Sequence, residues 1–457
     1  MDCHGSHATQ KGSAPDAKSN KLHIAETCSK CHDKIAKEYA GSVHGAALAA
    51  GNLDAAACTD CHGEHDILKR DDPRSRVAAR NLSSQTCSPC HGSISLSSKY
   101  GLASDRFKTF TDSYHGLALT GGSLAVANCA SCHGSHGIRR SSDPASTVNK
   151  ANLAATCGKC HPGANERFSV GAVHASETAP AEQPILYWLS FGYIALIVLI
   201  IGGMLLHNAL DFVKKARRKL KIRYGELPEE RAGCEVYPRM SLNERWQHGA
   251  LVASFFALVI TGFMLRFPDA WWVKGIRLLS DRAFNLRSLI HRVAAVVMVL
   301  AGVYHACYCA FTGRGRGLVR DLFPKLKDLK DPIAYVKYNL GLAKVKPKFG
   351  RFSYIEKSEY WALVWGTFIM AATGVIMWFN DFFLGLVTKL GYDIARTIHY
   401  YEAWLATLAI LVWHLYFVIF NPDAYPVNLA FWKGTLTEAE MLEDHPLELE
   451  EIKRRKG

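Results

Sequence analysis

The sequence predicts two folds joined in one chain. The N-terminal part has little regular structure, only short helices and loops, and the rest is an all-α transmembrane bundle of five helices. Three observations predict this. Ten of the 14 cysteines lie in five C-x-x-C-H motifs before residue 162. Five apolar runs of spanning length follow residue 184. Lys and Arg collect in alternate loops between those runs. The length, 457 residues, has room for two or three domains. The expected boundaries are 1–183 for the motif-bearing domain, 184–210 for an anchor helix and 211–240 for a linker. A four-helix domain at 241–425 and a tail at 426–457 complete the chain.

The five motifs are Cys28-Cys31-His32, Cys58-Cys61-His62, Cys87-Cys90-His91, Cys129-Cys132-His133 and Cys157-Cys160-His161. C-x-x-C-H is the attachment pattern of c-type haem. The two thiols bind one porphyrin, and the adjacent histidine ligates its iron. Zinc does not require a histidine at that fixed place, and a disulfide framework requires none. Cys3-His4 is the second half of a sixth motif, so six haem c are expected. The first cysteine of that motif and an export signal are then expected upstream of Met1.

An internal repeat organises the domain. Each unit reads C-x-x-C-H-G-x-H, then T-C-x-x-C-H, then a further histidine, as in "SVHG", "SYHG" and "AVHA". His4 to His32 is 28 residues, His62 to His91 is 29, and His133 to His161 is 28. Three two-haem units follow. The proximal ligands are His4, His32, His62, His91, His133 and His161. Six further histidines, His7, His44, His65, His115, His136 and His174, are the distal candidates, enough for every iron to be bis-histidine ligated. Such an iron has no open position, so the domain is expected to transfer electrons and not to convert a substrate. Large apolar residues are scarce here, so the porphyrins must serve as the core. His23 falls outside the repeat and is expected at the surface.

The first apolar run is "ILYWLSFGYIALIVLIIGGMLL" (185–206), and four more lie near 246–267, 289–311, 359–380 and 400–421. The basic loops "KKARRKLKIR" and "RGRGLVRDLFPKLKDLK" follow the first and third runs. They assign those loops to the cytoplasm and the haem domain to the periplasm. The protein is therefore expected in the bacterial cytoplasmic membrane as a multipass protein. The net charge of +13 reports this topology and not nucleic-acid binding.

Histidines inside spans are functional candidates. His248 opens the second span, His291 and His305 lie on the third, and His399 and His414 lie on the fifth. The separations of 14 and 15 residues return to nearly one helix face. Two haem b groups at two depths are expected, each between facing histidines of a helix bundle. One pairs His291 with His399, and the other uses His414 with either His248 or His305. His207, at the end of the first span, is expected at the membrane interface, and His445, in the charged tail, in solvent.

The stretches "NERWQHGALVASFFALVITG", "RSLIHRVAAV", "VKYNLG", "WGTFIMAATGVIMW" and "RTIHYYEAWLATLAILVWHLY" resemble the membrane cytochrome b subunit of respiratory formate dehydrogenase. They are also similar to the related subunits of nickel-iron hydrogenase and thiosulfate reductase. The resemblance covers about residues 240–450. It implies a dihaem four-helix bundle with His248 and His414 on the cytoplasmic-side haem and His291 and His399 on the other. It also implies a menaquinone pocket lined by Asn339 and Gly341, although ubiquinone has the same carbonyl chemistry. His305 is extra to that pattern, and the spacing of His399 to His414 is one residue longer. Taken whole, the chain resembles the fused multihaem-c and cytochrome-b proteins of anaerobic respiration.

The expected function is electron transfer between the membrane quinone pool and the periplasmic c haems, as a quinone-linked oxidoreductase subunit. Its partner there would be a dehydrogenase, hydrogenase, reductase or soluble cytochrome, alone or in a larger complex. The alternative is a membrane-anchored multihaem reductase or oxidase that converts a substrate itself.

Overall fold

The computed structural model describes residues 2–7, 9–176, 180–228 and 235–456. Met1 and Cys234 lie outside the described residues. The chain forms two compact units. The first comprises Met1–Tyr187 with Leu265–Leu278 and Phe379–Ile394, and the second comprises Trp188–Met264, Leu279–Trp378 and Ala395–Gly457.

In the first unit, short helices alternate with turns. Ile24–Ala40 is the longest before residue 180, and Cys58–His62 and Cys129–His133 are single turns. Its apolar clusters are small, the main one being Ile24, Leu48, Ala55 and Ala57. The repeat is visible in its hydrogen bonds. The threonine before each T-C-x-x-C-H motif donates to a backbone carbonyl, Thr27 to Lys18, Thr86 to Arg76 and Thr156 to Thr147, each at 2.7 Å. An asparagine amide brackets the turn before it: Asn20 to Gly12 and Ala14, Asn81 to Pro73 and Ser75, Asn152 to Pro144 and Ser146. Three segments with the same bonds fold the same way without needing a shared core.

Five helices are long and apolar enough to cross a membrane: Pro184–Arg223, Leu242–Arg266, Phe284–Phe311, Tyr354–Trp378 and Asn380–Phe420. They are called spans 1 to 5 here. Span 1 runs past its apolar stretch because "KKARRKLKIR" continues with good helix formers. Span 5 starts earlier than its apolar run. Thr388 (φ 71°) interrupts it, and the Thr388 hydroxyl accepts from the Gly391 amide 3.2 Å away, restarting the helix.

Two corrections arise in the second unit. His207 is buried, not interfacial: its Nε2 meets the Tyr354 hydroxyl at 2.6 Å, and its ring packs 4.8 Å from that of Trp413. One turn on, Asp211 accepts from Tyr335 at 2.6 Å and Tyr416 at 2.7 Å and pairs with Lys215 at 3.2 Å. His445 is also buried, with Nδ1 3.0 Å from the Gly350 carbonyl. The tail folds back: β1 (Val236–Pro238) pairs antiparallel with β2 (Thr435–Thr437), and Tyr237, Leu436, Met441 and Leu449 form a small core there. A composition-based reading cannot see that closure.

Candidate haem sites

The C-x-x-C-H motifs sit on helical turns, so their two thiols, three residues apart, share one face. Gly63 and Gly134, directly after the motif histidines, have φ of +82° and +79°. That left-handed step favours glycine and reverses the chain. It accounts for the glycine of C-x-x-C-H-G-x-H.

The glycine of S-x-H-G has a different cause. Ser42 caps the helix Val43–Ala49 by accepting from Gly45 N at 3.0 Å, and Ser113 does the same for Gly116 at 3.2 Å. A Cβ on Gly45 or Gly116 would lie 2.1 Å from the Tyr39 or Phe110 carbonyl oxygen. The histidine before each glycine is thus fixed in a capped first turn.

These elements bring histidines together in facing pairs. Ring centroids are 6.2 Å apart for His4 and His65, 6.1 Å for His44 and His91, and 6.2 Å for His62 and His136. They are 6.0 Å apart for His115 and His161 and 6.3 Å for His133 and His174. A metal–imidazole bond is about 2.0 Å, so two imidazoles on opposite sides of one metal have centroids roughly 6.2 Å apart. The residues therefore fit a bis-histidine iron in each pair. Every pair contains one motif histidine and one distal candidate. No such pair among the described residues includes His7 or His32. His23 is partly exposed, with Glu26 3.8 Å away.

Burial lowers the pKa of His44, His62, His91, His115 and His133, and takes His174, further depressed by Arg106, down to about 4. They are held neutral, the form that ligates. Consecutive motifs also lie side by side: Cys28 is beside Cys58, and Cys87 is beside Cys129. Among the described residues every cysteine is unbridged, and no three His, Cys, Asp or Glu side chains converge as a zinc centre requires.

In the second unit, the rings of His248 and His414 face each other at 6.4 Å. Nδ1 of His414 lies 3.1 Å from Oε2 of Glu359. His291 and His399 are each held by a threonine, Thr261 at 3.0 Å and Thr373 at 2.9 Å. The glycine after each threonine makes room: a Cβ on Gly262 would be 3.3 Å from His291 Cε1, and one on Gly374 would be 3.5 Å from His399 Cε1. Of the two candidates opposite His414, His305 has both nitrogens engaged, Nδ1 with Gln247 at 2.6 Å and Nε2 with Tyr360 at 3.1 Å. The extra residue between His399 and His414 is absorbed by a π-turn at Ile410–His414. A π-turn takes one more residue per turn, so the ligand face is kept.

Several residues were not foreseen: Thr109, Thr261, Thr373, Glu359 and Asp381. Each engages a histidine Nδ1, a role that single polar residues do not advertise in a sequence. Asp381 Oδ1 lies 2.5 Å from Nδ1 of His161 in the first unit. The "TG" dipeptides of spans 2 and 4 are the one signal that could have revealed the threonines. Asn339 ends the helix Leu326–Asn339, and its Nδ2 is buried without a hydrogen-bond partner. Gly341 has φ +78°, with open space where a Cβ would stand.

No curated protein matches the chain. Residues 239–429 match the family described as prokaryotic cytochrome b561. The match covers spans 2 to 5, three of which carry His248, His291, His305, His399 and His414, and the segment with Asn339 and Gly341. This C-terminal region is therefore similar to a membrane cytochrome b, and the matched family binds haem b and transfers electrons across the membrane, generally with quinone as partner.

Proposed function

We propose that the chain is a transmembrane conduit between a quinone site in the C-terminal region and a chain of six c haems in the periplasm. The observation that carries it is the set of five facing histidine pairs in the first unit, each joining a C-x-x-C-H histidine to a distal one. Haem, when bound, passes single electrons. The protein supplies position: neutral imidazoles in pairs, and neighbouring attachment cysteines that keep successive sites adjacent.

His248 with His414, and His291 with His399, hold the two b haems in this reading. Asn339 Nδ2, buried without a partner, supplies a donor for a quinone carbonyl. Quinone chemistry also moves protons. The hydrogen-bonded run Gln247–His305–Tyr360 beside the His248 and Glu359 positions offers a relay for them. Electrons entering from a periplasmic donor would reduce quinone, and quinol as donor would send them outward.

The test is stopped-flow reduction of the purified protein by a menaquinol analogue, following b and c bands separately. The outward reading expects haem b reduction before haem c, abolished by a quinone-site inhibitor. If haem c is reduced first and the inhibitor changes nothing, quinol is not the donor. Reduction from a periplasmic donor would then test the inward direction. A substrate-converting, membrane-anchored multihaem reductase or oxidase is the second reading, and the observation that favours it is that His32 has no facing histidine among the described residues.

A further inference from the structure

The five histidine pairs of the first unit follow a stagger. The S-x-H-G histidine of one repeat faces the second motif histidine of the next: His44 faces His91, and His115 faces His161. The H-G-x-H histidine faces back, to the first motif histidine of the preceding repeat: His65 faces His4, and His136 faces His62. At the C-terminal end no repeat follows, and the array closes on itself. His133 takes His174, from the "AVHA" that lacks both the capping serine and the close-packed glycine of S-x-H-G.

The other end is not closed. The same stagger leaves His32 needing an S-x-H-G histidine from a preceding repeat, and leaves His7 facing back to a first motif histidine of that repeat. A His7–His32 pair would mirror His133–His174. The two residues instead are both exposed, and no ring pair among the described residues joins them. Cys31 beside His32 is exposed as well.

We propose that His32 and His7 form a docking end for a further two-haem unit of the same repeat design. Its S-x-H-G histidine ligates the iron held by His32, and its own first iron takes His7. The proposal rests on the c-haem reading above. One occupant accounts for both unmatched histidines, whereas a small-molecule substrate at His32 would leave His7 without a role. The unit can belong to a further stretch of the same polypeptide or to a second chain, since both present the same ligand.

The test reads spin state, not turnover. In the full chain of this sequence carrying its haems, one c-type iron is expected to be high-spin and to bind one carbon monoxide per molecule. Added imidazole should convert it to low spin, and His7→Ala should leave the count at one. If the chain binds no carbon monoxide and His7→Ala creates one binding site, His7 closes on His32 and the proposal is overturned. In protein taken from native membranes, no c haem should bind carbon monoxide. Extra covalent haem on the same polypeptide by intact mass supports the same-chain source, and a co-purifying haem-stained chain supports the other. A carbon-monoxide-binding c haem in native membranes overturns the proposal and favours substrate conversion. Absence of covalent haem altogether would strike the c-haem reading itself, and the pyridine haemochrome spectrum reports that separately.

Discussion

Thr261 accepts the Nδ1 proton of His291 at 3.0 Å while giving its own hydroxyl proton to the Ala257 carbonyl. The hydroxyl has one proton, so its direction fixes the imidazole tautomer. Nδ1 carries the hydrogen, and Nε2 is free for a metal. Thr373 repeats this for His399, donating to Ile369. Thr109 does it for His174 in the first unit, donating to Asp105. Thr261→Val or Thr373→Val keeps the shape and removes the acceptor. Either should weaken haem b retention about 10-fold or more, the usual cost of losing a ligand's outer partner. Haem b content after dilution in detergent measures it, and unchanged retention in both variants would refute the tautomer argument.

His305 and His248 make opposite forecasts. His305 already spends both nitrogens on Gln247 and Tyr360, whereas the ring of His248 faces that of His414. His305→Ala should leave two haem b per chain, and His248→Ala should leave one. Pyridine haemochrome quantification of haem b decides between them.

Asp381 gives His161 an acceptor of a different kind. A carboxylate 2.5 Å from Nδ1 makes the imidazole a stronger electron donor to a metal than a neutral oxygen would. Asp381→Asn should raise the midpoint potential of a single c haem by roughly 20–60 mV, where about 60 mV is a tenfold change for one electron. A spectroscopic redox titration that shows no c haem moved would dispose of the idea.

Glu443 sets an acid limit on the folded tail. Burial pushes its pKa up, but Lys346 and Arg218 outweigh that and hold it down to about 2. A lowered carboxylate stabilises the fold above its ordinary pKa of about 4.5 and loses that stabilisation as pH falls toward 2. Glu443→Gln should cost about 1–3 kcal/mol at neutral pH and flatten stability across that acid window. Thermal unfolding of both forms from pH 7 to pH 3 is the check.

How much of this was legible in the sequence varies by physical cause. Covalent and coordination chemistry demands fixed residue types at fixed spacing, so the C-x-x-C-H motifs and the span histidines could be read directly. The same holds for the five spans, whose length and apolarity answer to a bilayer. The burial of His207 and His445 was not legible, because it depends on Tyr354 and Gly350, about 100 or more residues away in sequence. The spacing of His399 to His414 is one residue longer than in the family it resembles, and the π-turn Ile410–His414 that absorbs it leaves no residue signature. Thr261, Thr373 and Glu359 were passed over because a polar residue in a span has many ordinary uses, and only its distance to a histidine separates them.

The stagger of the histidine pairs also constrains how such a domain is made. His4 waits for His65, and His62 waits for His136. In the c-haem reading, then, the first irons of repeats one and two wait for the repeat that follows, and only the third closes on its own His174. Maturation runs along the chain like a zip. A whole repeat excised from the middle would hand the same stagger to its neighbours, His136 to His4 and His44 to His161. Such a domain can lengthen or shorten by whole repeats, but not by half of one.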